Sequence, residues 1–232
     1  MGYDHEHAAR IILDIETTPI ADAADYIERP EIPESYTKIR ANAEAATAWM
    51  EAAMRAKVAK AALDPDLCRI VAIGTWLEGD ENPTAAAFCG EDAERWELTR
   101  FWLNCAAGHF IGKNCLAFDL PVLLRRSLYL GIKAPTIQLD RFRHPQVTDL
   151  QAILSMNNPA WWHTLDFYCR RFGLDVPEDA TTGADIPALV ESGDWEGVRA
   201  HCLADVIRTG KLAARLGLFK ADSRAGDPGS ET

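Results

Sequence analysis

Ile11-Ile12-Leu13-Asp14-Ile15-Glu16-Thr17-Thr18 sets two carboxylates inside a run of aliphatic and β-branched residues. Side chains alternate between the faces of a strand, so Asp14 and Glu16 share one face while Ile11, Leu13 and Ile15 share the other. Adjacent carboxylates repel each other and lose solvation when buried, so a strand this apolar carries them where a cation compensates. A divalent metal ion is the natural compensator. An isolated Asp-x-Glu also marks the solvated end of many strands, and the choice between these readings rests on the remainder of the chain.

The chain has 232 residues, 48% of them hydrophobic, which suits one large α/β core better than two small ones. The expectation is a single domain over residues 1–216 followed by a polar, disordered tail at 217–232. No apolar run approaches ~18 residues, and the start Met1-Gly2-Tyr3-Asp4-His5-Glu6-His7 has neither the basic beginning nor the apolar segment of a signal peptide. A cytoplasmic protein without a membrane partner is expected. The six cysteines form no C-x-x-C pair, which predicts reduced thiols; Cys105 with His109 is better read as a buried thiol than as part of a zinc site. The formal charge of −11 argues against a broad basic surface for duplex nucleic acid. The span 125–171 runs the other way, with seven Lys or Arg against three Asp, and offers room for a short strand.

Past Pro19 a proline-bearing loop leads to an alanine-rich segment from Ala41 to Leu63, where Met50, Met54 and Val58 fall at helical spacing. Together they form an insertion at about 21–63, either a lid over the acidic pair or a helix packed on the sheet. Ile70–Leu77 and Thr84–Cys89 read as strands continuing an antiparallel meander. Leu98, Phe101, Trp102 and Cys105 mark a helix closed by Gly108, and His109–Gly112 a fourth strand. A helix over 120–130 then ends at Gly131, and the alternation gives a mixed α/β sheet flanked by helices.

Between that strand and helix, Asn114-Cys115-Leu116-Ala117-Phe118-Asp119 puts a third carboxylate where side chains converge on a cleft, although Asp119 also suits a helix cap. Asp149 reads as a cap for the helix after it, and the loop Arg141-Phe142-Arg143-His144 offers cations for phosphates. Trp161 and Trp162 read as core before a helix capped by Thr164 and stopped by Gly173. In the helix from Trp195 to about Leu216, Val198, Cys202, Val206 and Thr209 form one stripe, and His201 and Asp205 lie one turn apart on nearly the same face.

In order, Asp14-x-Glu16, Asn114-x-x-x-Phe118-Asp119 and His201-x-x-x-Asp205 resemble the three motifs of the DEDD exonucleases, which have a ribonuclease H-like fold. The later segment, from Gly183 through Gly193-Asp194-Trp195 to Val206, is most similar to predicted 3′–5′ exonucleases related to the proofreading domain of family-B DNA polymerases. The resemblance implies a ribonuclease H-like α/β fold and removal of nucleotides from the 3′ end of single-stranded DNA, or of RNA. It implies two Mg²⁺ or Mn²⁺ ions held by Asp14, Glu16, Asp119 and Asp205, a water oriented or deprotonated by His201, and Thr17, Asn114 and Phe118 against the terminal nucleotide. The departure is His201: tyrosine stands there in the branch with this spacing, and the histidine branch spaces its pair one residue wider. A binding module of the same fold that does not cut is the alternative.

Overall fold

The computed structural model describes residues 8–140 and 143–220. The N-terminal heptapeptide, Arg141 and Phe142 of the basic loop, and residues 221–232 of the expected tail lie outside the described residues, whereas residues 217–220 are described and Phe219 is buried against Trp76.

β1 (Arg10–Pro19) is the middle strand of five. It pairs antiparallel with β2 (Cys68–Leu77), which pairs antiparallel with β3 (Thr84–Ala87). On its other edge it runs parallel to β4 (His109–Gly112), itself parallel to β5 (Val147–Asp149), so the order is β3-β2-β1-β4-β5. Three short or long helices, α1 (Ala23–Tyr26), α2 (Thr37–Arg40) and α3 (Ala43–Lys60), lie between β1 and β2. α4 (Glu91–Cys105) precedes β4 and α5 (Asp119–Tyr129) follows it. After β5 come α6 (Leu150–Leu154), α7 (Leu165–Arg171), α8 (Ile186–Ser192) and α9 (Trp195–Arg215). This is the expected mixed sheet flanked by helices, with a helical insertion between the first two strands.

The alternation in β1 divides the core. Ile11, Leu13 and Ile15 pack with Leu98, Phe101 and Trp102 of α4 and Leu120 and Leu123 of α5. Ile12, on the face of Asp14 and Glu16, packs with Leu165 and Tyr168 of α7 and Val206 and Leu212 of α9. The first layer is also tied by a buried ion pair: Arg126 donates through Nε and Nη2 to the two oxygens of Glu94, both at 2.7 Å, and Glu94 Oε1 accepts the Ile70 backbone N–H at 2.8 Å. One carboxylate thereby joins α4, α5 and β2. This removes Arg126 from any nucleic-acid surface, and Arg125 and Arg170 pair with Asp66 and Asp166. Two cations of the basic span 125–171, Arg125 and Arg126, are therefore met by carboxylates from outside it, which a charge count along the span does not see.

Two further expectations are corrected. α3 forms at the predicted place, capped by Asn42, whose side chain accepts from the N–H groups of Glu44 and Ala45, but none of its residues is buried. Its apolar face is mostly alanine, too thin to seat a helix in a core. The insertion is anchored instead at its ends, where Ala23, Ala61 and Ala62 are buried. Trp161 and Trp162 are 54% and 52% exposed. They sit at a 3-10 turn over Pro159–Trp161, and Tyr168 occupies the core position beneath, its hydroxyl donating to the Trp161 carbonyl at 3.2 Å. The thiols expected to be free are so, and Cys105 is buried.

α9 reaches the sheet because β2 has no side chain at Gly74, which lies opposite Asp14. A Cβ there would stand 2.5 Å from Val206 Cγ2 and 2.9 Å from Cys202 Sγ. Overpacking of this kind costs about 1–3 kcal/mol. Gly74→Ala is thus expected to lower the unfolding free energy in urea by about that amount, whereas Gly183→Ala, with nothing within 4 Å of its Cβ, leaves the midpoint nearly unchanged.

Candidate active site

Asp14 and Glu16 project from β1 toward α9, as the strand period requires. Between Glu16 and Thr17 the register with β2 slips, a bulge that re-aims the strand end. Thr17 is turned away from the acidic face: its buried hydroxyl donates to the Ala62 carbonyl at 2.6 Å. The Thr17 side chain, expected against a substrate, is instead a tether between β1 and the end of the insertion.

Asp119 is the first residue of α5 and caps nothing; the cap position is Phe118, which makes no side-chain bond. The carboxyl is buried and accepts backbone N–H groups of its own residue and of Ile15. β1 pairs with β4 only from Arg10 to Ile12, so the strand edge beyond remains open to a side chain from the next turn. Asn114 opens that turn at φ 65°, a left-handed conformation that asparagine tolerates better than most residues. The turn is held by Asp149, whose Oδ1 accepts from Asn114 N at 2.9 Å and whose Oδ2 accepts from Leu116 N at 3.1 Å. Asp149 also caps α6 as expected, through Gln151 N at 2.8 Å. Phe118 is half-buried against the α4–α5 core.

His201 and Asp205 approach from α9. His201 is only 5% exposed, with Nε2 3.6 Å from Glu16 Oε1 and Nδ1 2.6 Å from Asp179 Oδ2. Arg208 donates to Asp205 Oδ1 at 2.9 Å and to the Pro177 carbonyl at 3.0 Å. Its Nη1 lies 3.7 Å from Asp179. Asp179, Arg208 and Lys113 escaped the sequence reading. Asp179 lies in a loop without periodicity, and nothing in its neighbours marks it; Arg208, three residues past Asp205, was visible as a helical neighbour.

The cluster is electrostatically strained. Burial, then repulsion from Glu16, Asp205 and Asp119, pushes the Asp14 carboxyl well above the usual carboxylate range. Glu16 is pushed up by burial and then by Asp205, Asp119 and Asp179. Burial raises Asp119 to about 7 against the hydrogen bonds it accepts. Burial also lowers the Lys113 ammonium, while Asp149, Asp205, Asp119 and Asp14 pull it the other way. Burial pushes Asp179 up, but the bonds from His201 and Thr181 outweigh it and hold this carboxyl low.

Carboxylate oxygens of Asp14 and Glu16 come within 4.8 Å of each other and of Cys202 Sγ, as do donor atoms of Asp179, His201 and Asp205. The Cys202 thiol is raised far above its ordinary value by burial and then by Asp14, and it donates weakly to the Asp14 carbonyl at 3.8 Å. It stays protonated, which leaves an oxygen donor set suited to a hard divalent cation. Such a cation would relieve the repulsion that Arg208 and Lys113 only partly offset.

Residues 62–224 match the family described as predicted 3′–5′ exonucleases related to the exonuclease domain of PolB. The chain belongs to this family. The matched span includes Asn114, Phe118, Asp119, His201 and Asp205 and begins after Asp14 and Glu16. An uncharacterized protein of Methanocaldococcus jannaschii is 35% identical over 163 residues, covering 65% of this chain and 86% of that protein. The family B DNA polymerase of Pyrobaculum calidifontis superposes on 90% of this chain with a TM-score of 0.58 at 16% identity, a likeness of fold. The chain spans 24% of the polymerase's length. The fold is thus the ribonuclease H-like one of that exonuclease domain, and no helix among the described residues is long and apolar enough to cross a membrane.

The raised carboxyls make a stability prediction. Their folded values lie above the unfolded ones near 4, so between about 4 and 7 the native state binds more protons than the unfolded chain. In chelator, the thermal midpoint should therefore fall as pH rises through this window, with Asp119's own contribution levelling off as pH passes its value of about 7. Asp119→Asn removes one of these protons, so scanning calorimetry should give it a flatter pH dependence than the wild type.

Proposed function

We propose that this family member is a metal-dependent 3′–5′ exonuclease acting on the ends of single-stranded DNA. The observation that carries the reading is the convergence of Asp14, Glu16, Asp119 and Asp205 from a strand, a helix start and a second helix onto one buried cleft. A module that only binds has no use for the repulsion this creates. Asp14, Glu16, Asp119 and Asp205 would hold two Mg²⁺ or Mn²⁺ ions. Bound there, the ions would supply a nucleophilic water and offset charge on the leaving 3′-oxygen.

The chain's own groups do the remainder. His201, its Nδ1 proton held by Asp179, turns Nε2 toward Glu16 and takes the proton of the attacking water. Asp179 fixes the tautomer and the ring plane, so the short imidazole is aimed without the reach of a phenol. Asn114 and Phe118, on the turn braced by Asp149, position the terminal nucleotide, and Lys113 faces its phosphate. The Thr17 hydroxyl donates to the Ala62 carbonyl and so offers a substrate only its acceptor side. We further propose that the catalytic domain spans residues 1–216 and that the 21–63 insertion is accessory, since it contributes no carboxylate to the cluster.

The test is a single-turnover assay on end-labelled single-stranded DNA and RNA, with magnesium, manganese or chelator. Stepwise release of mononucleotides from the 3′ end of DNA, lost in chelator, is expected. Asp14→Ala should abolish cleavage with the fold intact; cleavage at the wild-type rate would mean that the site is misassigned. General acid–base help is worth ~10²–10⁴-fold, so His201→Ala should slow the chemical step within that range. Asp179→Asn should slow the same step without weakening binding, and equal rates for wild type, His201→Ala and Asp179→Asn across pH would remove the histidine from the mechanism.

A further inference from the structure

A pocket of ~350 Å³ opens beside the Asn114–Asp119 turn, lined by Asn114, Leu116, His144, Asp149, Gln151 and Trp162 among others. Its size falls in the range of small-molecule sites. Gln151 is only 3% exposed, and its amide Nε2 is buried without a hydrogen-bond partner among the described residues. A buried donor left unpaired is costly and is ordinarily satisfied by an acceptor. Trp162 forms another part of the wall with half its surface open.

The chemistry of the lining narrows the ligand. No lysine or arginine lines the pocket among the described residues, so the described lining offers a phosphate no guanidinium or ammonium group. The one carboxylate, Asp149, is already engaged by the N–H groups of Asn114, Leu116 and Gln151. What remains is an indole surface, the Gln151 amide, the polar residues Asn114, His144, Ser155 and Asn157, and small apolar residues, which suit a flat heteroaromatic ring bearing hydrogen-bonding groups on its edge.

We propose that the pocket is a nucleobase subsite. A base of the substrate strand next to the terminal nucleotide stacks on the Trp162 indole, while Gln151 Nε2 donates to a ring nitrogen or carbonyl oxygen of that base. The assignment rests on the exonuclease reading above, because the turn that lines the pocket also delivers Asp119 to the acidic cluster. A base seated there has left its complement, so the pocket selects unpaired ends.

The test uses full-length Asp14→Ala protein with magnesium, which keeps binding separate from cleavage. Fluorescence anisotropy is measured on single-stranded DNA oligonucleotides carrying one abasic site at successive positions from the 3′ end. One position close to the end should weaken binding roughly ten- to hundredfold, the size of a lost stacking contact. Adding Trp162→Ala should erase that penalty; this exposed residue can be truncated without disturbing the core. Gln151→Leu should reduce binding of the intact strand and lessen the same penalty. An equal effect of every abasic position, or a penalty unchanged by Trp162→Ala, overturns the subsite alone. Failure to bind any strand overturns the exonuclease reading with it.

Discussion

Like-charge repulsion in a poorly solvated cleft is the constraint that the rest of this molecule answers. Asp14 and Glu16 are pushed above the ordinary carboxylate range by burial and then by neighbouring carboxylates, and Asp119 by burial and then by Asp149, so assembling them opposes folding. Burial of the apolar side chains around them supplies the opposing free energy. On one side of the sheet Leu98, Leu120 and Leu123 are fully buried, and on the other Ile12, Val206 and Leu212. The acidic residues occupy the strand and helix positions nearest the cleft, where a cation can enter, while the surfaces behind them carry the stability. Gly74 permits this division: a side chain there would press on Val206 and Cys202, and α9 could not lie so close to the sheet.

Histidine at position 201 illustrates how a local departure is absorbed by a distant residue. One turn before Asp205, an imidazole is too short to behave as a phenol, and a free ring would sample several orientations. The 2.6 Å contact with Asp179 removes that freedom. Arg208 extends the arrangement by bonding both Asp205 and the Pro177 carbonyl, which pins the loop that carries Asp179 to the helix that carries His201. A loop and a helix separated in sequence thus share one network, and either half loses its geometry without the other.

Legibility in the sequence followed the physics of each element. β1 and α9 were readable because burial imposes a strict period on them: alternate residues in Ile11–Ile15, and Val198, Cys202 and Val206 at helical spacing. Asp119 was readable because the change from strand to helix at Gly112–Leu120 forces side chains to converge. Asp179 was not, since it sits on a loop with no period and meets His201 and Arg208 only once the chain has folded. The tryptophans at 161 and 162 misled because size and apolarity are poor guides where Pro159 starts a surface turn. The basic span misled for a related reason: summed charge along a chain says nothing of the partner each cation finds, and Arg126 finds a buried one in Glu94.

Asp149 shows how one side chain can link regions that a sequence presents as separate. As a cap it satisfies Gln151 N, which starts α6 and seats the Gln151 side chain beneath the pocket. As a brace it satisfies Asn114 N and Leu116 N, which sets the turn that delivers Phe118 and Asp119. The two duties are not independent, because a single carboxyl group fixes both backbones relative to each other. Replacing it by a residue able to cap but not to accept from the turn would leave α6 in place while leaving the Asn114 turn with only its own closing bonds, from Ala117 N and Phe118 N to the Asn114 carbonyl at 3.1 Å. The position of Asp119 against β1 and the shape of the pocket beside Trp162 therefore depend on the same two oxygens. That shared anchor fixes the separation between the pocket and the acidic cluster.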